Sequence, residues 1–144
     1  MRIYLDMCCF NRPYDDQSQL RISLESQAKL HIQELIKEAK LDLVTSYVLQ
    51  YENSRNRDLS RRYAIERFVL AYRKENIDVA QDDTVSKIAE SFMETGIKEK
   101  DAYHLSCAII GDCEYFITTD DRILRHQTDK IRIINPTEFI RLEG

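Results

Sequence analysis

Apolar positions along the chain follow two patterns: short runs closed by polar residues, and longer stretches with helical spacing. Ile3, Tyr4 and Leu5 form a brief apolar run ended by Asp6, which predicts a buried strand over Arg2 to Leu5. A polar loop follows. Leu24, Ala28, Ile32, Leu35, Ile36 and Ala39 then recur at the spacing of one helix face. Leu41 to Thr45 predicts a second strand, with Ser46 placed to cap the helix after it. That helical stretch breaks near Asn53 to Asp58 and resumes with Ala64, Ile65, Phe68, Val69 and Tyr72 on its apolar face. Ile77 to Ala80 predicts a third strand. Asp82-Asp83-Thr84 supplies an N-cap for a helix burying Val85, Ile88, Ala89, Phe92 and Met93, with Gly96 as its stop. The next helix starts near Glu99 and carries Ala102, Leu105, Ala108 and Ile109. Strands are predicted at Tyr115 to Thr118 and Ile131 to Ile134. In Asn135-Pro136-Thr137-Glu138, Asn takes the cap, Pro the first helical position and Glu the third.

Short strands alternating with helices predict an α/β fold, with right-handed crossovers and a mainly parallel sheet covered on both faces. In such a sheet the functional crevice lies outside the carboxyl ends of the strands. With 144 residues, three glycines, two prolines and no linker-like tract, the expectation is one domain spanning 1–144.

Composition narrows the class. The chain is 43% apolar and 32% charged, the balance of a folded globular protein. No apolar run approaches the ~20 residues that cross a bilayer, and Asp6 interrupts any secretory leader, so a cytoplasmic location is expected. Cys8, Cys9, Cys107 and Cys113 form no Cys-x-x-Cys pair, and His31, His104 and His126 are scattered. That argues against structural zinc and for reduced thiols. A net charge of −4 argues against passive coating of DNA, but leaves room for a local basic face or a metal-bridged phosphate contact.

Four acids stand out. Asp6 closes a central apolar strand, where burial without a partner is costly. Asp120 follows the fourth predicted strand by two residues, and Glu52 lies within about two turns of the start of the helix after the second. Asp101 joins them only if the N-terminus of its helix faces the crevice, which residue spacing does not decide. Clustered carboxylates raise one another's pKa unless a cation neutralises them. Oxygen ligands without nearby Cys or His suit Mg²⁺ or Mn²⁺, and phosphodiester hydrolysis is the natural chemistry. Taken singly, Asp101, Asp120 and Asp121 also suit ordinary helix starts, and Glu52 an exposed helix face.

The segments Ile3-Tyr4-Leu5-Asp6, Ser46-Tyr47-Val48-Leu49-Gln50-Tyr51-Glu52, Lys100-Asp101-Ala102-Tyr103-His104-Leu105 and Phe116-Ile117-Thr118-Thr119-Asp120 resemble, in order and spacing, the PIN domain nucleases. The resemblance implies a three-layer α/β/α sandwich with a five-stranded sheet of order 3-2-1-4-5. It also implies a Mg²⁺ or Mn²⁺ site built from Asp6, Glu52, Asp101 and Asp120, with the helix of Asp101 pointing its N-terminus at the site. Many small bacterial members are VapC-type toxins, ribonucleases held in check by an antitoxin and often homodimeric. The implied function is therefore a metal-dependent endoribonuclease acting on RNA, with an antitoxin as partner. The alternative is a catalytically weak nucleic-acid-binding or regulatory module on the same fold.

Where many members of that family carry Thr or Ser after the first Asp, this chain has Met7, Cys8 and Cys9, and a thiol is a poorer donor than a hydroxyl. Cys8 to Gln17 resembles a loop of a little-characterised bacterial subgroup. Asn11 and Arg12 are candidate phosphate contacts or turn residues, and Asp15 and Asp16 turn or cap residues. Thr118 is a candidate substrate contact or helix cap, and Asp121 a fifth metal ligand or helix-end acid. Arg55, Arg57, Arg61 and Arg62 form the densest basic cluster, a backbone track for RNA or a solvated face. His104 reads as a packed or capping histidine, and Tyr47, Tyr51, Tyr63 and Tyr72 as core or groove edges. Two other doubly wound enzymes with an acid after the first strand fit less well. A haloacid dehalogenase-type phosphatase wants a second Asp where Cys8 stands, and a phosphoreceiver wants paired acids and a late Lys.

Overall fold

The first strand takes the centre of the sheet. In the computed structural model, which describes residues 1–144, β1 (Arg2–Leu5) pairs in parallel with β2 (Asp42–Ser46) on one side and β4 (Tyr115–Ile117) on the other. β3 (Arg73–Ile77) and β5 (Arg132–Ile134) complete an all-parallel sheet of order β3-β2-β1-β4-β5, as the resemblance implied.

Successive strand residues face opposite ways, so β1 feeds two cores. Ile3 and Leu5 join Phe10, Ile32, Leu43, Ile117 and Phe139 on one face, beneath α1 (Met7–Asn11), α2 (Leu20–Lys37), α4 (Leu59–Tyr72) and α8 (Pro136–Glu143). Tyr4 joins Val44, Val85, Ala89, Phe92, Leu105 and Phe116 on the other, beneath α5 (Asp82–Met93) and α6 (Glu99–Ile110). The result is three layers. Where α6 ends, Gly111 packs so closely on β2 that a Cβ there would lie 2.6 Å from Val44 Cγ1.

Local signals are realised where they were strong. The Ser46 hydroxyl accepts from the Leu49 amide at 3.1 Å and starts α3 (Tyr47–Ser54), and the break before α4 falls at residues 55–58. Asn135 caps α8 through the Thr137 amide at 2.8 Å, with Pro136 in the first helical position.

Two elements differ from expectation. The third strand is Arg73–Ile77, and Val79–Gln81 forms a 3-10 turn. β3 is an edge strand whose first three residues are exposed, so it needs no apolar run, and Arg73, Lys74 and Glu75 supply the charges that blunt an edge. The stretch after Asp6 is also not all loop. Asp6 caps α1 through the Met7 amide, a helix too short to show a period. A smaller shift concerns Asp82 and Asp83, which lie inside the first turn of α5 rather than at its cap. All four cysteines are free thiols, three of them buried. No helix is long and apolar enough to cross a membrane.

Candidate metal centre at the carboxyl end of the sheet

Asp6 leaves β1 with its amide still bonded to the Ile117 carbonyl at 2.9 Å, so the end of β1 is fixed against β4. Its side chain is only 5% exposed. Oδ1 accepts from the Met7 amide at 2.8 Å, and Oδ2 accepts from the Thr118 hydroxyl at 2.8 Å and the Cys8 thiol at 3.5 Å. No lysine or arginine pairs with this carboxylate.

Thr118 follows β4 and donates its own amide to Ile134 of β5 at 2.9 Å. Its hydroxyl accepts from the Asp120 amide at 3.1 Å, so one buried threonine links two of the acids. Asp120 then caps α7 (Asp121–Leu124) through the Arg122 amide at 2.9 Å, with the Arg122 guanidinium 3.7 Å away.

Glu52 reaches in from α3. Oε1 meets His104 Nε2 at 2.8 Å and Oε2 meets Lys100 Nζ at 3.3 Å. Burial pushes the Glu52 carboxyl up, but His104 and then Lys100 outweigh it and hold the group below its ordinary value. Asp6, Glu52 and His104 can each offer one ligand atom within 4.8 Å of the others.

Asp101 lies in the first turn of α6, and its carboxyl is raised by burial, then by the negative charges of Asp6 and Asp120. Lys100 and His104, on either side of it at the start of α6, both contact Glu52 and so bring the N-terminus of this helix to the crevice, which spacing alone left open. Four elements thus bring carboxylates to one end of the sheet, where Lys100 offsets part of the charge on Glu52 and Arg122 part of that on Asp120, while Asp6 and Asp101 have no cationic partner in an ion pair. That donor set fits a hard divalent cation.

A PIN domain family model matches residues 3–128. The chain belongs to the PIN domain family. No curated protein matches the sequence. Among solved structures, the fold is similar to VapBC2 from Rickettsia felis, solved bound to a DNA fragment from their promoter: TM-score 0.60 at 15% identity, covering 94% of this chain and 98% of that one. It is also similar to FitAcB from Neisseria gonorrhoeae, with TM-score 0.55 at 16% identity, covering 93% and 97%.

Within this PIN domain, other candidate residues have different surroundings. Asp121, expected as a fifth ligand, is exposed and clasped by both terminal nitrogens of Arg21 at 2.8 and 2.9 Å, which holds its carboxyl below the ordinary range. Arg12, expected near phosphate, binds the buried Glu25 at 2.8 Å and Asp15 at 3.1 Å. Thr118, expected as a substrate contact, is fully buried and holds Asp6 and Asp120 instead. Asn11 faces Asn56 Nδ2 at 3.5 Å, joining α1 to the α3–α4 corner.

Three residues acquire roles that the sequence did not suggest. Glu25 collects Arg12, Arg21 and Asn135 in a buried knot, and Arg21 also donates to the Thr119 carbonyl at 3.0 Å, bracing the segment that carries Asp120. The i,i+4 spacing of Arg21 and Glu25 was the only available hint. The third is His104, which contacts Glu52 directly.

The basic cluster occupies the corner after α3, with Arg55 and Arg57, and the start of α4, with Arg61 and Arg62. The Arg55 guanidinium lies 5.9 Å from the Tyr51 ring centre, Arg61 4.9 Å from Tyr14 and Arg62 5.3 Å from Tyr63. All three tyrosines are exposed. Tyr47, by contrast, is partly buried and donates to Asp82 at 2.5 Å.

Proposed function

We propose that this protein is a divalent-metal-dependent endoribonuclease in which Asp6, Glu52, Asp101 and Asp120 hold Mg²⁺ or Mn²⁺. The observation that carries the reading is the gathering of Asp6 and Glu52, with His104, so that their ligand atoms lie within 4.8 Å of one another; the Asp101 carboxyl beside them is raised by burial and by the charges of Asp6 and Asp120. Uncompensated carboxylates at the carboxyl end of a parallel sheet are the electrostatic signature of a cation site. The ion, when bound, supplies Lewis-acid polarisation of a phosphodiester and activation of water. The chain supplies position: Thr118 fixes Asp6 and Asp120 relative to each other, and His104 holds one oxygen of Glu52.

RNA is the favoured substrate class. Arg55, Arg61 and Arg62 each lie against an exposed tyrosine, beside the helix that carries Glu52. Guanidinium and phenol faces of this kind bind backbone phosphates and stack on unpaired bases. The likeness to VapBC2 and FitAcB supports a toxin of a toxin–antitoxin pair, with an antitoxin protein as partner; a homodimeric state and a cytoplasmic location are carried forward from the sequence reading. Asn11, at the corner beside Asn56, is the remaining candidate for a substrate contact.

The test is Mn²⁺- or Mg²⁺-dependent cleavage of single-stranded RNA, with Asp6→Asn and Asp101→Asn alongside. Cleavage by the wild type alone is expected; equal cleavage by all three proteins would point to a contaminating nuclease and end the proposal. One observation favours the second reading, a weakly active binding or regulatory module: the Lys100 ammonium already neutralises part of Glu52. Calorimetry separates the two, because a module of that kind shows no heat of binding at millimolar Mn²⁺.

A further inference from the structure

His104 is 0% exposed, yet both ring nitrogens are engaged: Nδ1 meets the Tyr4 hydroxyl at 2.6 Å and Nε2 meets Glu52 Oε1 at 2.8 Å. The Tyr4 hydroxyl also lies 2.6 Å from Ser46 Oγ, and Ser46 Oγ accepts from the Leu49 amide at 3.1 Å. Four polar links therefore run in series through the interior, from an amide in the first turn of α3 to a carboxylate further along the same helix.

The carboxylate end of this chain sets the direction of the protons, and the amide end is compatible with it. A backbone amide can only donate, and an ionised carboxylate can only accept. Nε2 must then carry a proton toward Glu52. In a neutral imidazole, Nδ1 becomes an acceptor, so the Tyr4 hydroxyl donates to it. The Tyr4 oxygen in turn takes the Ser46 proton. Every link is satisfied and the only charge is on Glu52.

We propose that Ser46 and Tyr4 form a tautomer-setting relay that holds His104 as the Nε2–H form, and that His104 is thereby a positioning residue for Glu52. The ring donates to Oε1 while Lys100 meets Oε2, and Glu52 is held with a ligand atom within 4.8 Å of Asp6. The relay also ties β1, α3 and α6 together one helical turn from Asp101, so two acids on different helices share one buried reference point. The consequence for metal rests on the reading of the acids as a cation site; the tautomer does not.

The experiment uses the whole protein with ¹⁵N-labelled histidine, in wild type and in Tyr4→Phe. The variant keeps the ring that stacks on Phe116 at 5.5 Å and deletes only the hydroxyl. The ¹⁵N shifts of His104 are expected to report Nε2–H in the wild type, and a mixture with Nδ1–H in Tyr4→Phe. Mn²⁺ affinity, read by calorimetry on the same samples, is expected to fall about 10-fold or more in Tyr4→Phe and His104→Ala, the range for partners that orient a ligand. His104→Gln, which can still donate to Glu52, is expected to recover part of the loss. An Nδ1–H or doubly protonated ring in the wild type overturns the relay. Unchanged Mn²⁺ affinity in a folded Tyr4→Phe overturns the positioning role. If the tautomer responds as expected while the wild type binds no Mn²⁺, the relay stands and the metal reading is what fails.

Discussion

Thr118 donates its hydroxyl to Asp6 Oδ2 at 2.8 Å from a position 112 residues further along the chain. The chain lacks a hydroxyl at the positions just after Asp6, where Met7, Cys8 and Cys9 stand, and the neighbouring strand supplies one instead. Thr118→Val keeps the volume and removes the donor. The buried carboxylate then loses a charge-assisted hydrogen bond, and the metal-free protein is expected to lose about 1.5–3 kcal/mol in urea unfolding. Thr118→Ser should restore most of it. A valine variant as stable as wild type would show that the Cys8 thiol suffices.

Asp101 ties stability to pH and metal. Because its carboxyl is raised in the folded state, the folded chain binds more protons than the unfolded one across the window from the ordinary aspartate range up to the raised value. Its contribution to stability therefore falls as pH rises through that window, and divalent metal should counter the loss at neutral pH. Asp101→Asn is expected to raise the melting temperature of the metal-free protein at pH 7, by about 2–4 °C for each kcal/mol of repulsion relieved. The same variant should lose the further rise that millimolar Mn²⁺ gives the wild type. A drop in Tm without metal would mean that Asp101 is favourably partnered.

Lys29 offers a test away from the site. Its ammonium is buried near the rings of Phe10 and Phe68, donates to Gln33 at 2.6 Å, and has its pKa pushed down to about 8 by burial. Between about 8 and the ordinary lysine value, the unfolded chain holds the extra proton, so stability rises with pH across that interval. Lys29→Met is expected to stabilise the protein at pH 7 by about 2 kcal/mol and to flatten this alkaline gain. Urea midpoints at pH 7 and pH 10 decide it; a destabilised variant would show that the cation's contacts with the rings and Gln33 outweigh its desolvation.

Gly111 is needed for space, since its backbone is in an ordinary negative-φ conformation. A methyl there would meet Val44 Cγ1 at 2.6 Å. Gly111→Ala is expected to cost about 1–3 kcal/mol through overpacking. Adding Val44→Ala to that variant should cost less than it does in wild type, a coupling that a double-mutant cycle measures directly.

Legibility in the sequence followed burial. β1, β2 and β4 announce themselves because strands covered on both faces read as apolar runs, and β5, though at an edge, keeps Ile133 and Ile134 against the core. β3 was displaced because an edge strand has no such demand, and Ile77 is its one buried residue. In the site, Asp6 and Asp120 follow from the ends of their strands. Glu52 and Asp101 needed the family likeness, since helix direction relative to the sheet is not written in helical spacing. His104 was read as packing because its partners, Tyr4 and Glu52, lie 100 and 52 residues away. The pairing of Arg21 with Asp121 was silent for the same reason, spanning 100 residues.

The placement of β4 directly beside β1 has a consequence for biosynthesis. Asp6 is made 112 residues before its hydrogen-bond partner Thr118, and its neighbour Asp120 follows later still. Such non-local pairing must wait until loop-closure entropy can be overcome by the whole sheet. A ribosome-bound chain short of β4 therefore carries Asp6 and Glu52 without the strand that completes their cluster. On the proposed reading as a ribonuclease, the chain would by this design stay harmless to the ribosome making it until β4 had emerged.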